Sequence, residues 1–498
     1  MMYTLALLLP LFIGCMAQSR QLTILHTNDI HGQFLPSKAM WRADSALVGG
    51  FAALSGALDS VRLIDESCIY LDAGDLMTGN PICNIVADGV EGGALLKLLQ
   101  LCDCDAAAVG NHEFDLGPEH AKKFLSNGEL KWLCGNVVEK SSGASICDPY
   151  VILEENGLKV GVIGLLLTDL KSVVASHAVE PFEVQPIEQR AQVLIDEIDP
   201  ITDVIILLTH NGFEQDKVLA RSVTGADIIV GGHSHTRLSN PQVENGIIIV
   251  QAGSHLKHLG VLKIRVAKDE IVEHEGDLIE LESNRYTPDA SVSLLCNEYR
   301  QEIELVYGEI IANASETLTR AYSSTSSLGN LLCDLLRKHY NCDFAVINSG
   351  GIRKDLARGP IRKLDVVEML PFFNTITLFE ASGKDLATMI NKQAVSFLDK
   401  DSEVLQVSGI AAEVTGESSE SFSVNCFVDG SELDSSRTYR GVSIDYVLVS
   451  QPEKYLGFTP DNLENTGLLF SDFVTQELQK STGPIAPDHQ PRIYHANK

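Results

Sequence analysis

Five short apolar runs in the first half of the chain each end in side chains that bind metal ions or carry protons. "LTILHTNDIHG" places Asp29 and His31 just past such a run, "CIYLDAGD" does so for Asp75, and "AAAVGNHEFD" for Asn111 and His112. "VIILLTHNG" delivers His210, and "DIIVGGHSH" delivers His233 and His235. The runs read as buried strands and the stretches between them as helices, so 20–281 is expected to form an α/β layered domain. In α/β sheets, binding residues gather on the loops beyond the carboxyl ends of strands. Strands in one sheet would bring all five endings to one rim.

Taken singly, an Asp or Asn after a strand is usually a helix cap or turn residue, and a lone His is usually structural or on the surface. Alternating Asp-x-His and His-x-His pairs are scarcer, because one intervening residue lets both side chains address one ion. Five coincident endings of this kind are not explained by capping. Asp29, His31 and His235 could surround one ion and Asn111, His210 and His233 another, with Asp75 bridging them. Mixed imidazole and carboxylate ligands suit Zn, Mn, Fe or Co better than Ca or Mg. The lack of cysteines at the strand ends argues against a closed structural zinc site.

Charge suggests the task. The chain has a net charge of -29, which argues against a nucleic-acid or anionic-membrane partner, since either would need a basic face. A phosphate-bearing ligand must therefore be drawn by local positive charge. Two divalent ions, less Asp29, Asp75 and a shared hydroxide, leave about +1 at the site. Such a pair lowers the pKa of the shared water and clamps the attacking and leaving oxygens in line. Metal-assisted phosphoester hydrolysis is the expected chemistry.

A length of 498 residues exceeds one core, so two domains are expected, and 45% apolar with 21% charged residues is ordinary globular composition. The apolar stretch from Leu5 to Ala17, broken by Pro10, fits a secretory signal over 1–17 and is too short for a membrane span. Export to the periplasm, medium or cell surface is expected, with lipid attachment at Cys15 in "LFIGC" as the alternative and no transmembrane span. Of eleven cysteines, ten remain without Cys15; they permit disulfides but do not give a pairing. Oligomeric state is not legible. The α/β pattern breaks near Pro288, and Leu294, Leu295, Tyr299, Ile303 and Leu305 suggest a linker helix over 288–307. A second domain is expected over 320–495, where "NSGGIR" reads as strand, glycine turn and Arg353, either a phosphate-gripping fork or a surface residue.

The motifs "DIHG", "GD", "GNHEFD", "THNG" and "GGHSH", in this order, resemble those of the calcineurin-like metallophosphoesterases. With "NSGGIR" and "LPFFNT", the chain is similar to the secreted 5'-nucleotidase / UDP-sugar hydrolase / cyclic-nucleotide phosphodiesterase family from about residue 20 to 480. The resemblance implies a four-layered αββα metallophosphoesterase domain, the linker helix, and a second α+β substrate-binding domain. It implies that Asp29, His31, Asp75 and His235 hold one divalent ion (Zn, Mn or Co) and that Asp75, Asn111, His210 and His233 hold the other. Members of the family often carry Gln or Asn where His235 stands.

By the same resemblance, His112 is a catalytic group held off the metals and Asp115 orients it. Arg353 and Asn374 contact substrate, with Arg358 and Arg362 assisting. Phe372 and Phe373 are expected in the core. The family's first base-stacking position falls on Val404, which cannot stack, and the second falls on Tyr455 or, as the substrate-binding residue preferred here, Phe458. A nucleoside 5'-monophosphate is the leading substrate. The alternatives are a UDP-sugar, a 2',3'-cyclic nucleotide, any phosphomonoester irrespective of base, and, more remotely, ligand binding without catalysis. Glu113 receives no role.

Overall fold

The structure, a computed structural model, describes residues 19–39, 42, 44, 46–400 and 402–496. The signal-peptide and Cys15 expectations lie outside the described residues. The first unit contains β1 (Arg20–Thr27), β2 (Cys68–Asp72), β3 (Ala106–Ala108), β4 (Trp132–Leu133), β5 (Tyr150–Glu155) and β6 (Leu158–Leu166). It continues with β7 (Val204–His210), β8 (Ile228–Gly231), β9 (Gln242–Glu244), β10 (Ile247–Val250), β11 (His258–Ala267) and β12 (Glu270–Glu280). Helices α1 (Phe51–Arg62), α2 (Gly93–Leu101), α3 (Ile187–Ile198) and α4 (Phe213–Ser222) connect them.

Among the described residues these strands form two six-stranded sheets, ordered β12-β11-β1-β2-β3-β4 and β5-β6-β7-β8-β10-β9. In the first sheet β1, β2, β3 and β4 are parallel, with β11 and β12 antiparallel beside β1; in the second the four central strands are parallel and both edge pairs antiparallel. Strand alternation buries both faces of each sheet. Leu22, Ile24, Leu71, Val162 and Leu208 fill the space between the sheets. Leu25, Tyr70 and Ala107 face α1 and α2, while Ile163, Ile205 and Leu207 face α3 and α4. Three separate apolar interfaces therefore stack four layers, αββα.

Helix α5 (Ala290–Tyr307) follows, started by Asp289, whose carboxylate accepts the N–H groups of Ser291 and Val292. Its buried stripe is Val292, Cys296, Tyr299 and Ile303, packed on the first unit. Leu294 and Leu305, included in the sequence-based stripe, stand 62% and 87% exposed, because they lie off the helical phase set by the other four.

The second unit contains α6 (Ser327–Tyr340), β13 (Phe344–Asn348), α7 (Lys363–Met369), β14 (Thr375–Ser382) and α8 (Gly383–Leu398). These are followed by β15 (Leu405–Ser408), β16 (Ile410–Ser418), β17 (Ser421–Val428), β18 (Ser431–Glu432), β19 (Thr438–Ile444), β20 (Asp461–Leu469) and β21 (Ile493–His495). They form a five-stranded sheet, β15-β13-β19-β14-β20, and a four-stranded sheet, β18-β17-β16-β21, around one core. The ten described cysteines are free thiols.

Candidate active site

The five ligand-bearing endings come from two sheets rather than one: β1, β2 and β3 in the first, β7 and β8 in the second. Face-to-face packing brings their carboxyl ends together. Just past the ladders, Asp29, His31, Asp75, His233 and His235 all have positive φ, between 51° and 75°. This conformation costs about 1–3 kcal/mol per non-glycine residue and collects at functional sites. The turns brace one another, Asp29 N–H donating to the Gly74 carbonyl (2.9 Å) and His31 N–H to that of Asp75 (3.0 Å).

Two ligand groups result. In the first, His235 Nε2 lies 3.3 Å from Asp29 Oδ1 and 3.0 Å from His31 Nε2. In the second, Asn111 Oδ1 lies 2.9 Å from His233 Nδ1 and 3.2 Å from His210 Nε2, which is 3.1 Å from Asp75 Oδ2. His31 Nε2 lies 3.9 Å from Asp75 Oδ2, so Asp75 adjoins both groups. Two donors at zinc-like bond lengths from one ion lie about 2.9–3.4 Å apart; the separations within the two groups match this, and the 3.9 Å from His31 to Asp75 exceeds it. His31 Nδ1 faces the Thr78 carbonyl at 3.0 Å and His210 Nδ1 faces the Ala73 carbonyl at 2.7 Å. Donation there leaves both Nε2 lone pairs aimed inward, the usual arrangement of metal-binding histidines. His31 Nε2 and His235 Nε2 face each other at 3.0 Å, close enough to share a proton or to hold one cation between them. The donor set fits two cations.

The side chain of His112 stands beside this array. Its backbone N–H donates to Asp75 Oδ1 (2.9 Å), and its Nδ1 meets Asp115 Oδ2 at 2.7 Å. Asp115 Oδ2 also accepts from Thr78 Oγ1 (2.6 Å), so the carboxylate is fixed. His112 Nε2 is 3.8 Å from Asp75 Oδ2, and the atoms of His31, Asp75 and His112 lie close enough to form a third possible metal group. Burial lowers the pKa of His112, but Asp115 and Asp75 outweigh it and raise the ring to about 9. Burial likewise lowers His210, and Asp75 raises it to about 10. Burial dominates at His233, lowered to about 4, and drives His31 well below its ordinary value.

Two residues missed by sequence reasoning hold the array in place. Glu113, fully buried, accepts N–H groups from Leu76 (2.9 Å), Asp75 (3.2 Å), Met77 (3.2 Å) and Gly110 (2.7 Å), tying the turn after β2 to that after β3. Asn28 donates to Asp29 Oδ2 and to the Gly253 carbonyl, each at 2.6 Å. No side-chain pattern signals either role, because the partners are mostly backbone groups.

A cleft of about 590 Å³ runs from Asp75, Asn111, His112, His233 and His235 to the second unit. Arg353 and Asn374 line it. Arg358 and Arg362 do not: Arg358 is exposed, and Arg362 sits on an exposed edge with its side chain paired to Glu304 at 3.3 Å. Phe458 packs against the second core, while Tyr455 lines the cleft. Phe372 and Phe373, expected in the core, are cleft residues, and Phe373 is 40% exposed. The turn after "LP" carries them out of α7 before β14 begins. Val404 is fully buried, whereas its neighbour Glu403 reaches the cleft and accepts from Gly350 N–H (2.6 Å) and Tyr455 Oη (2.9 Å). Tyr322, Tyr446 and Lys454, not singled out from sequence, also line the cleft, as does His177 of the first unit.

The calcineurin-like phosphoesterase model matches residues 22–237, and the 5'-nucleotidase C-terminal domain model matches 307–455. A 5'-nucleotidase of Diplobatis ommata is 28% identical over 436 residues, 79% of this chain and 74% of its own length. The human 5'-nucleotidase is 29% identical over 455 residues, 82% of this chain and 78% of its own. The crystal structure of a 5'-nucleotidase precursor from Thermus thermophilus superposes with a TM-score of 0.83 at 26% identity, covering 96% of this chain and 100% of that one. Among the described residues no helix is long and apolar enough to cross a membrane.

Proposed function

The chain belongs to the family that joins a calcineurin-like phosphoesterase domain to a 5'-nucleotidase C-terminal domain and is a metal-dependent phosphoester hydrolase, and from that premise we propose that it is an exported enzyme releasing phosphate from nucleoside 5'-monophosphates. One observation supports the reading above others: His112 and Arg353, from different units, both lie against Phe372, with a ring separation and a guanidinium-to-ring distance of 5.9 Å each. A phosphoryl group beside the ligand array would meet both cations.

Asp29, His31, Asp75 and His235 would hold one divalent ion, and Asp75, Asn111, His210 and His233 the other, with Zn, Mn and Co as candidates. When bound, the pair supplies an activated water and offsets phosphoryl charge. Asp115 fixes His112 through Nδ1, leaving Nε2 to face the phosphoryl group and stabilise charge as it develops. Arg353, an exposed side chain on the cleft wall, orients the phosphate with its fork. Asn374 adds a polar wall, and Tyr322, Tyr446 and Tyr455 offer ring faces to the nucleoside where Val404 offers none.

Phosphate release from AMP, UMP, UDP-glucose, a 2',3'-cyclic nucleotide and a sugar phosphate tests the assignment, with Mn, Zn or Co restored to metal-free protein. AMP or UMP should be turned over fastest; equal rates on the base-free phosphate would overturn the nucleotide assignment. A base-independent phosphomonoesterase is the second reading, favoured by the burial of Val404. The intact ligand set weighs against binding without catalysis. Export is tested by mass analysis of the mature N-terminus, where a start at Gln18 indicates cleavage and a lipid on Cys15 indicates an anchor.

A further inference from the structure

His235 lines two cavities. One is the cleft described above; the other, of about 600 Å³, lies within the first unit and is walled by Arg237, Lys257, His258, Gly253 and Ser254, with Arg42 and Glu280 at its margin. The cations there are not equivalent. Arg42 is engaged by Asp44, Glu280 and Glu282 at 2.6–2.8 Å, so it is not available to a ligand. Arg237 is exposed, and its guanidinium makes no hydrogen bond or ion pair among the described residues. Lys257 is partly withdrawn from water, which raises the value of an anion beside it.

His258 supplies a second, independent observation. It is only 9% exposed, lines this cavity, and its Nδ1 is buried without a partner. A Cβ added at Gly253 would lie 3.7 Å from that Nδ1, so the glycine keeps the space in front of the ring open. A buried polar atom normally has a partner, and one left facing a cavity beside two cations suits an acceptor-rich ligand. Arg237, Lys257 and the His258 ring bring two cationic side chains and a donor to one cavity beside His235.

We propose that Arg237, Lys257 and His258 form an anion subsite for a second phosphate group, separated from the catalytic cleft by His235. Its ligand is either orthophosphate leaving the metal centre or a second phosphoryl group carried by the substrate. The choice of ligand rests on the phosphohydrolase reading; the existence of the subsite does not.

Calorimetric titration of the metal-loaded protein with orthophosphate should show two sites. Arg237→Ala/Lys257→Ala should retain only one, as should the single change Arg237→Glu, which alters an exposed side chain and leaves the fold intact. Product-inhibition constants for orthophosphate raised about tenfold in these variants, with KM for AMP unchanged, identify the ligand as free product. A comparable rise in KM for ADP but not for AMP identifies a second phosphoryl group on the substrate. Two-site binding without turnover of any ester would refute the proposed function while leaving the subsite standing. One site of equal affinity in wild type and variants would overturn the subsite.

Discussion

His112 keeps its proton to about pH 9 because two carboxylates outweigh its burial. If the protonated ring is the form that stabilises the phosphoryl group, activity is present below that pKa and falls as pH rises through it. Asp115→Asn removes the larger of the two carboxylate contributions. The alkaline limb of the kcat profile should then move downward from near 9 by about one unit or more, measured across the neutral and alkaline range. His112→Ala should lower kcat about 10²–10⁴-fold, while the bound metal measured by elemental analysis is unchanged. Loss of an ion in that variant would instead make His112 a ligand. Ligand types were legible from sequence because they recur after apolar runs. Glu113 was not, because four backbone N–H groups have no residue code. Glu113→Gln turns an amide donor toward those donors and should destabilise the protein by about 2 kcal/mol or more, read from denaturant midpoints.

At the scale of elements, the strand pattern and the order of the endings were readable, but the number of sheets was not. A parallel run in either sheet has the same composition, and only packing shows that two rims converge. Backbone geometry was hidden as well: Asp and His tolerate positive φ better than most residues, yet nothing in the sequence demands it. The glycines beside them are more constrained. Gly110 follows β3 closely, and a Cβ there would fall 2.2 Å from Asp75 Oδ1 and 2.5 Å from Asp75 N. Gly110→Ala must therefore displace the carboxylate shared by both ligand groups. Its expected effect is at least a hundredfold loss of kcat/KM and weaker metal retention on dialysis, with a loss of stability of about 1–3 kcal/mol. Wild-type metal content in that variant would show that the turn yields without moving Asp75. Phe372 and Phe373 illustrate the opposite limit: two adjacent aromatic residues read as core from composition, but they sit in a turn whose direction is set by the next strand.

Across the whole molecule, the division of labour between units depends on where α5 belongs. Composition places it between domains; packing places it on the first, where Val292, Cys296, Tyr299 and Ile303 join the core shared with α1 and α2. Its start is pinned there too, since Asp289 N–H donates to Ser55 Oγ at 3.1 Å. Burying one such side chain contributes about 1.5–3 kcal/mol, so four together are comparable with the whole net stability of a domain, about 5–15 kcal/mol. A chain ending at residue 281 should therefore be insoluble or unfold far below the full-length protein, whereas one ending at residue 307 should fold. The longer fragment keeps every ligand of both groups and His112, but it lacks Arg353, Tyr322, Tyr446 and Tyr455, which the second unit brings to the cleft. It should bind two divalent ions and slowly hydrolyse p-nitrophenyl phosphate without preferring AMP. Equal thermal midpoints for the two fragments would place α5 with the second unit. Retained AMP preference in the longer one would move nucleoside recognition out of the second unit and onto the first unit's side of the cleft, which includes His177.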